Sequence, residues 1–252
     1  MLRRFVAPHV FAGSSLDLVT EGARARAILH PPVRHGDLTR LAADHRPGIV
    51  LIVDGIFGFE MAVTPMEIRQ AIEAGWRVFG AASMGAMRAA ELWPQGMIGI
   101  GDIYTLFRTG GLTSDADVAV LFGGDALEEI TISMVQVRFL IQYLRHFHAL
   151  SGLDARHMHA MARNIYWAER DEAALSRSWR AGGVGETNIA RFRALLRDPR
   201  LHPKKRDAAH AVASLLADQW IDIFQLYSHE RSCTGDDCPP PATDGPASGG
   251  QA

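Results

Sequence analysis

The stretch Arg77–Leu92, "RVFGAASMGAMRAAEL", decides the fold. Val78 and Phe79 begin a short apolar run of strand-forming residues. The chain then passes through Gly80, Ala81, Ala82 and Ser83 and enters an alanine-rich helical pattern at Met84 with no polar linker. Small residues at such a turn let backbone pass close to backbone or to a ligand. Immediately upstream, "TPMEIRQAIEAG" has a Thr64 cap, Pro65 at the first helical position and Gly75 as a stop signal. Before it, "GIVLIVDG" (Gly48–Gly55) is the clearest strand in the chain. Strand, helix, strand, helix at this spacing implies a parallel sheet with right-handed crossovers. Polar sites in such sheets gather at the carboxyl ends of the strands, where Asp54 and Ser83 fall.

Further out, "RRFVAPHVFAG" (residues 3–13) reads as a first strand, "SLDLVTEGARARAIL" as a capped helix and "GDLTRLAADH" as another. Beyond Leu92, "PQGMIGIGDIYTLFRTGGL" is glycine-rich and then helical, and "DADVAVLFGG" (Asp115–Gly124) reads as one more strand. From Ser133 the pattern is helical, through "SMVQVRFLIQYLRHFHAL", "ARHMHAMARNIYWAERDEAALSRSW", "GETNIARFRALLRD" and "KKRDAAHAVASLLADQWIDIFQLY". The expected architecture is an α/β, Rossmann-like parallel sheet with flanking helices over residues 1–130, followed by an all-helical C-terminal part over 131–231. Residues 232–252, rich in Pro, Gly, Ser and Ala, read as a disordered tail.

The chain has 252 residues, 48% of them hydrophobic, which is enough to bury a sizeable core. Its formal charge of −2 gives no basic field that would attract nucleic acid or an anionic membrane, and no run approaches the length of a membrane span. The expected setting is the cytoplasm. Both cysteines, Cys233 and Cys238, lie in the tail, so residues 1–232 hold no thiol and cannot carry a persulfide or use a cysteine nucleophile. "HFH" and "HMH" place histidines two apart, on different sides of a helix, so no metal site is expected from them, and no cofactor is implied.

The turn at Ser83 has the features of a nucleophile elbow, with small residues two before and two after it, Ala81 and Gly85. The backbone N–H of Met84, at a helix start, would face a developing oxyanion, and Gly55 or Ile56 would supply a second donor. The same serine serves equally as a helix N-cap in a tightly packed turn, and Asp54 as a loop cap. Arg88 and Glu91 share a helix face and can pair as an ordinary surface ion pair. Candidate bases are His35 and the histidines at 146, 148, 157 and 159.

The segments "HPPVRHGDL", "LIVDGIF", "VFGAASMGAMRAAEL", "GMIGIGDIY", "DADVAV" and "SMVQVR", within about residues 28–138, resemble TfuA-like proteins in order and spacing. The resemblance implies an accessory protein that works with a YcaO enzyme in ATP-dependent formation of a peptide backbone thioamide. YcaO phosphorylates the amide oxygen, and the TfuA-like partner helps sulfide reach the activated carbon from a thiocarboxylated ubiquitin-like sulfur carrier or a sulfurtransferase. A precursor peptide is the further expected partner. The family pattern falls on Pro31, Pro32, Gly36, Asp37, Asp54, Gly55, Phe57, Ser83, Met84, Gly85, Arg88, Glu91, Gly96, Asp117, Val118 and Arg138. On this reading Ser83 is the nucleophile of an acyl–sulfur hydrolase, with Arg88, Glu91 and Asp54 orienting and polarising. Gly55, Met84, Gly85, Asp37, His35 and Asp117 then form the binding set. One departure stands out. Where relatives tend to have histidine, glycine and proline, this chain has Phe122, Gly123 and Gly124, so His35 or Lys205 would have to act as base. A non-catalytic adaptor that docks the carrier and activates YcaO, and an unrelated serine hydrolase, are the alternatives.

Overall fold

The computed structural model describes residues 7–58, 61–124 and 127–217. The expected tail at 232–252 and the end of the last helical pattern lie outside the described residues. Five strands, β1 (His9–Phe11), β2 (Ile28–His30), β3 (Ile49–Ile52), β4 (Arg77–Ala81) and β5 (Ile98–Ile100), form a wholly parallel sheet in the order β2-β1-β3-β4-β5. The α/β, Rossmann-like reading holds, and a helical C-terminal part follows.

One face of the sheet is covered by α2 (Asp37–Asp44), α3 (Pro65–Glu73), α4 (Met84–Leu92) and α5 (Asp102–Arg108), whose Leu38, Ile68, Met84 and Ile103 join Val50, Ile52 and Val78 in one core. Central strand β3 buries both faces, so it reads as the continuous run "IVLI" instead of an alternation. Both ends of α3 follow the local signals. The Thr64 hydroxyl accepts from the Glu67 N–H while Glu67 returns to the Thr64 N–H, a complete capping box. Thr64→Ala is therefore expected to cost about 1 kcal/mol, read as a lower denaturant midpoint at unchanged slope.

On the other face, the 3₁₀ turn Ser14–Leu18 and the helix α10 (Pro203–Leu216) pack Leu16, Ala208, Ala211, Val212 and Leu215 against Val10, Leu51, Phe79 and Ile98. The last described helix thus returns to pack on the sheet. A third core joins α6 (Met134–His146), α7 (Gly152–Arg163), α8 (Glu172–Ala181) and α9 (Glu186–Leu196). Trp179 is fully buried there, edge-on to Phe192, with its indole N–H donated to the Met158 carbonyl at 2.9 Å. No helix among the described residues is long and apolar enough to cross a membrane.

Several local expectations are corrected. The helix expected over residues 15–29 is the 3₁₀ turn, a single turn α1 (Glu21–Arg24) and strand β2. Edge strand β2 has only three residues, and Ile28 and Leu29 are exposed, so it carries no inward apolar run to announce it. The strand expected over Asp115–Gly124 is mostly absent. Ser114 and Asp117 close a capping box around a 3₁₀ turn, and Val118, Ala119 and Val120 are buried as a core plug, not a ladder. Only Phe122–Gly123 (β6) is strand, paired antiparallel with Glu128–Glu129 (β7). The helix expected across 155–179 is two, because buried Arg170 turns back to the carbonyls of Ala162, Ile165 and Ile132 and fixes the break.

Candidate functional site

The small residues around Ser83 find their reason in backbone contact. A Cβ on Gly85 would sit 1.8 Å from the Ile52 carbonyl oxygen, and one on Gly80 would sit 2.1 Å from the Gly85 oxygen. The Gly85 N–H donates to the Val53 carbonyl at 3.2 Å, so the first turn of α4 is seated directly on the ends of β3 and β4. The left-handed residue of the turn is Ala82 (φ 64), whereas Ser83 has φ −102. Ser83 is 1% exposed, and its hydroxyl neither caps α4 nor makes another hydrogen bond among the described residues.

The expected oxyanion donors are partly committed. The Ile56 N–H, one of the two candidates for the second donor, donates to the Val33 carbonyl at 3.0 Å. The space over Gly55 holds the Met84 side chain, whose sulfur would lie 2.3 Å from an added Cβ. Gly55 itself bridges in parallel to Val33, which brings the "HPPVRHGD" loop alongside the exit of β3. In that loop His35 Nδ1 meets Glu67 Oε2 at 3.0 Å, and the Gly36 N–H donates to the other Glu67 oxygen at 2.6 Å. Asp37 accepts from the Arg34 N–H at 2.7 Å and pairs with Arg40. These contacts hold the loop onto the start of α3.

Asp54 is fully buried. Its two oxygens accept from the Gly13 N–H at 2.9 Å and the Ser15 hydroxyl at 2.8 Å, so it fixes the turn that leaves β1. Burial pushes its carboxyl pKa upward, with nearby Lys204 and these donors opposing. Arg88 pairs with Glu91 at 2.6 Å, and while Glu91 is half exposed, Arg88 is 15% exposed and its Nε is buried without a partner among the described residues. Asp117 is buried and accepts from the Thr113 and Ser114 N–H groups. The structure thus brings Asp54, Gly55, Ser83, Met84 and Gly85 to the carboxyl edge of the sheet. Arg88 and Glu91 pair with each other further along α4.

Three side chains at this edge went unread in the sequence. Lys204 is 0% exposed, pairs with Glu129 Oε1 at 2.8 Å and donates to the Val118 carbonyl at 3.3 Å. His202 Nε2 lies 3.4 Å from Glu129 Oε2. Burial opposes ionisation of Glu129, yet Lys204 and His202 outweigh it and bring its pKa down to about 2. Glu129 stands opposite Phe122 in the β6–β7 register, on the same side of the ladder. His202 therefore brings an imidazole to the partner of the very position where the family resemblance leads one to expect histidine. Lys205, the second candidate base, is tied to Asp17 at 2.5 Å. A cavity of about 420 Å³ opens beside the cluster, lined in part by Ser14, Asp17, Thr131, Gln136, His202 and Lys205.

Comparison with known families adds one finding to this geometry: residues 54–171 match the model of a family described as TfuA-like protein. The matched span takes in Asp54, Gly55, Ser83, Met84, Gly85, Arg88, Glu91, Asp117 and Glu129, and leaves out His35, Asp37, His202 and Lys204. No curated protein matches the chain.

Proposed function

We propose that this chain, which carries a TfuA-like domain over residues 54–171, works beside a YcaO enzyme in ATP-dependent peptide thioamidation by bringing it sulfide from a thiocarboxylated carrier. The observation that carries this reading is the placement of Asp54 and Ser83 just beyond the ends of two neighbouring strands at the carboxyl edge of the sheet, inside the matched span, in a chain with no thiol before Cys233. With no thiol in residues 1–232, that part of the chain cannot take the sulfur up as a persulfide, and the reading keeps it on the carrier until release.

In the catalytic form of this reading, the Ser83 oxygen attacks the carrier's thiocarboxyl carbon. The carbon–sulfur bond breaks, hydrosulfide leaves, and the serine proton goes to a base. Water then cleaves the seryl ester to give the carrier carboxylate and restore Ser83. Hydrosulfide attacks the amide carbon that YcaO has activated, and phosphate departs with the former amide oxygen. A second reading, docking of carrier and YcaO without covalent chemistry, is favoured by one observation: Ser83 is 1% exposed.

Ser83→Ala separates the two forms. The substitution removes a hydroxyl with no hydrogen bond among the described residues, so the fold is expected to persist, checked by an unchanged thermal midpoint. In a reaction fed by thiocarboxylated carrier, thioamide yield should fall at least about a hundredfold if Ser83 is the nucleophile. Excess free sulfide should restore it. Undiminished yield from carrier assigns the protein to docking.

A further inference from the structure

We propose that the facing surfaces of α6 and α7 form a binding pocket for an oligophosphate, at a place that takes no part in the carboxyl-edge site. Arg138, Gln142 and Arg145 recur at i, i+4 and i+7 along α6, and Arg156, His159 and Arg163 at i, i+3 and i+7 along α7, so each set occupies one helix face. The six side chains line a single cavity of about 380 Å³, together with Gly152 and Ala155 in the first turn of α7.

No carboxylate lines that cavity among the described residues. Asp154, in the same first turn of α7, is bonded to its own cap, Ser151, at 2.9 Å. Asp117 is near enough to act on His159 electrostatically, but its oxygens accept from backbone N–H groups of its own turn. Arg138 is held in place by its bond to the Gly111 carbonyl. The side chains of Arg145, Arg156 and Arg163 make no ion pair or hydrogen bond among the described residues. Elsewhere the chain pairs its arginines readily, as with Arg180 and Glu186, Arg193 and Glu172, and Arg200 and Asp198. Four guanidiniums converging on one cavity in a chain of net charge −2 are a local concentration of like charge that costs stability unless an anion sits between them. Burial, then Arg138 and Arg163, hold His159 below the ordinary histidine pKa, which agrees with that field.

The geometry selects the chemistry of the anion. Planar guanidinium forks on two opposed helices match the tetrahedrally spread oxygens of linked phosphates better than a lone carboxylate. The cavity also has room for more than one phosphate group, so a pyrophosphate or the phosphate chain of a nucleotide fits and a single small ion leaves most donors unused.

The test is calorimetric titration of the full chain with pyrophosphate, ATP and inorganic phosphate, free of magnesium, at low and at raised ionic strength. Saturable one-site binding of pyrophosphate is expected, weaker for inorganic phosphate and weakening as salt rises. Equal affinity for ATP and pyrophosphate would show that the phosphates alone are read, and tighter ATP binding that the nucleoside also enters the cavity. Both support the proposal. Arg156→Glu with Arg163→Glu should weaken pyrophosphate binding about a hundredfold, and the milder Arg156→Ala about tenfold, since each removes a charge-assisted contact. Arg34→Glu, outside the pocket, should bind as the parent does. Thermal midpoints confirm that all variants fold. Absence of saturable binding by the parent at low salt, or equal binding by the folded double variant, overturns the proposal.

Discussion

Lys204→Met is expected to destabilise the protein by about 3–5 kcal/mol, because a buried charge pair that loses one partner leaves the other uncompensated. Lys204 has no exposed surface, pairs with Glu129 and donates to the Val118 carbonyl, and its charge acts on Asp54. In a chain of this length the loss corresponds to a drop in thermal midpoint on the order of 10 °C. Lys204→Met combined with Glu129→Gln should recover much of it, since removing both charges is far less costly than removing one. The pH dependence gives a second readout. Glu129 has a folded pKa of about 2 against an ordinary 4.5, so its contribution is present above pH 4.5 and is lost as pH falls toward 2. Asp54, raised by burial, works in the opposite direction and reduces the net acid sensitivity. The Lys204→Met variant should lose less stability on acidification than the parent. Equal acid sensitivity of the two proteins would show that the ion pair does not hold Glu129 down.

Gly85→Ala is expected to be the most damaging single methyl in the protein. The added Cβ would lie 1.8 Å from the Ile52 carbonyl oxygen and 2.6 Å from its carbon, and both are backbone atoms at the end of a central strand that cannot step aside. Relief requires lifting α4 from the sheet, which breaks the Gly85–Val53 hydrogen bond and opens the packing of Met84 and Ala86. A cost of about 3 kcal/mol or more is expected, seen as loss of soluble protein or a lowered denaturant midpoint. Gly55→Ala provides the contrast. Its nearest contact is the Met84 sulfur, the adaptable part of a flexible side chain, so its cost should be clearly smaller. If the two variants are equally stable, the seating of α4 does not depend on the missing Cβ at residue 85.

These variants also mark what the sequence made legible. The turn from Gly80 to Gly85 and the run "LIVDG" carry their reasons locally, through small residues, a continuous apolar run and a capping box, so β3, α3, β4 and α4 were readable, with Asp54 and Ser83 at the strand ends. The ion cluster was not, because its members come from β7 and the start of α10, and charged residues in "PKKRD" read as a solvated run. A signal did exist. Lys204 lies on the same helical stripe as Ala208, Ala211, Val212 and Leu215, the face that α10 buries on the sheet, whereas Lys205 is one step around and reaches Asp17. Strand β5 escaped notice because Gly99 interrupts its apolar pair. The glycine is needed there, since a Cβ would lie 2.0 Å from the Tyr104 ring.

The central claim, that this chain brings carrier-borne sulfur to a YcaO enzyme, is tested most directly by a reconstituted reaction containing YcaO, ATP, precursor peptide and thiocarboxylated carrier, with peptide mass as the readout. The peptide is expected to gain the mass of one oxygen-to-sulfur exchange only when this protein is present, and carrier ending in an ordinary carboxylate is expected to yield none. Equal conversion of the peptide with and without the protein, at limiting thiocarboxylated carrier and no free sulfide, would contradict it.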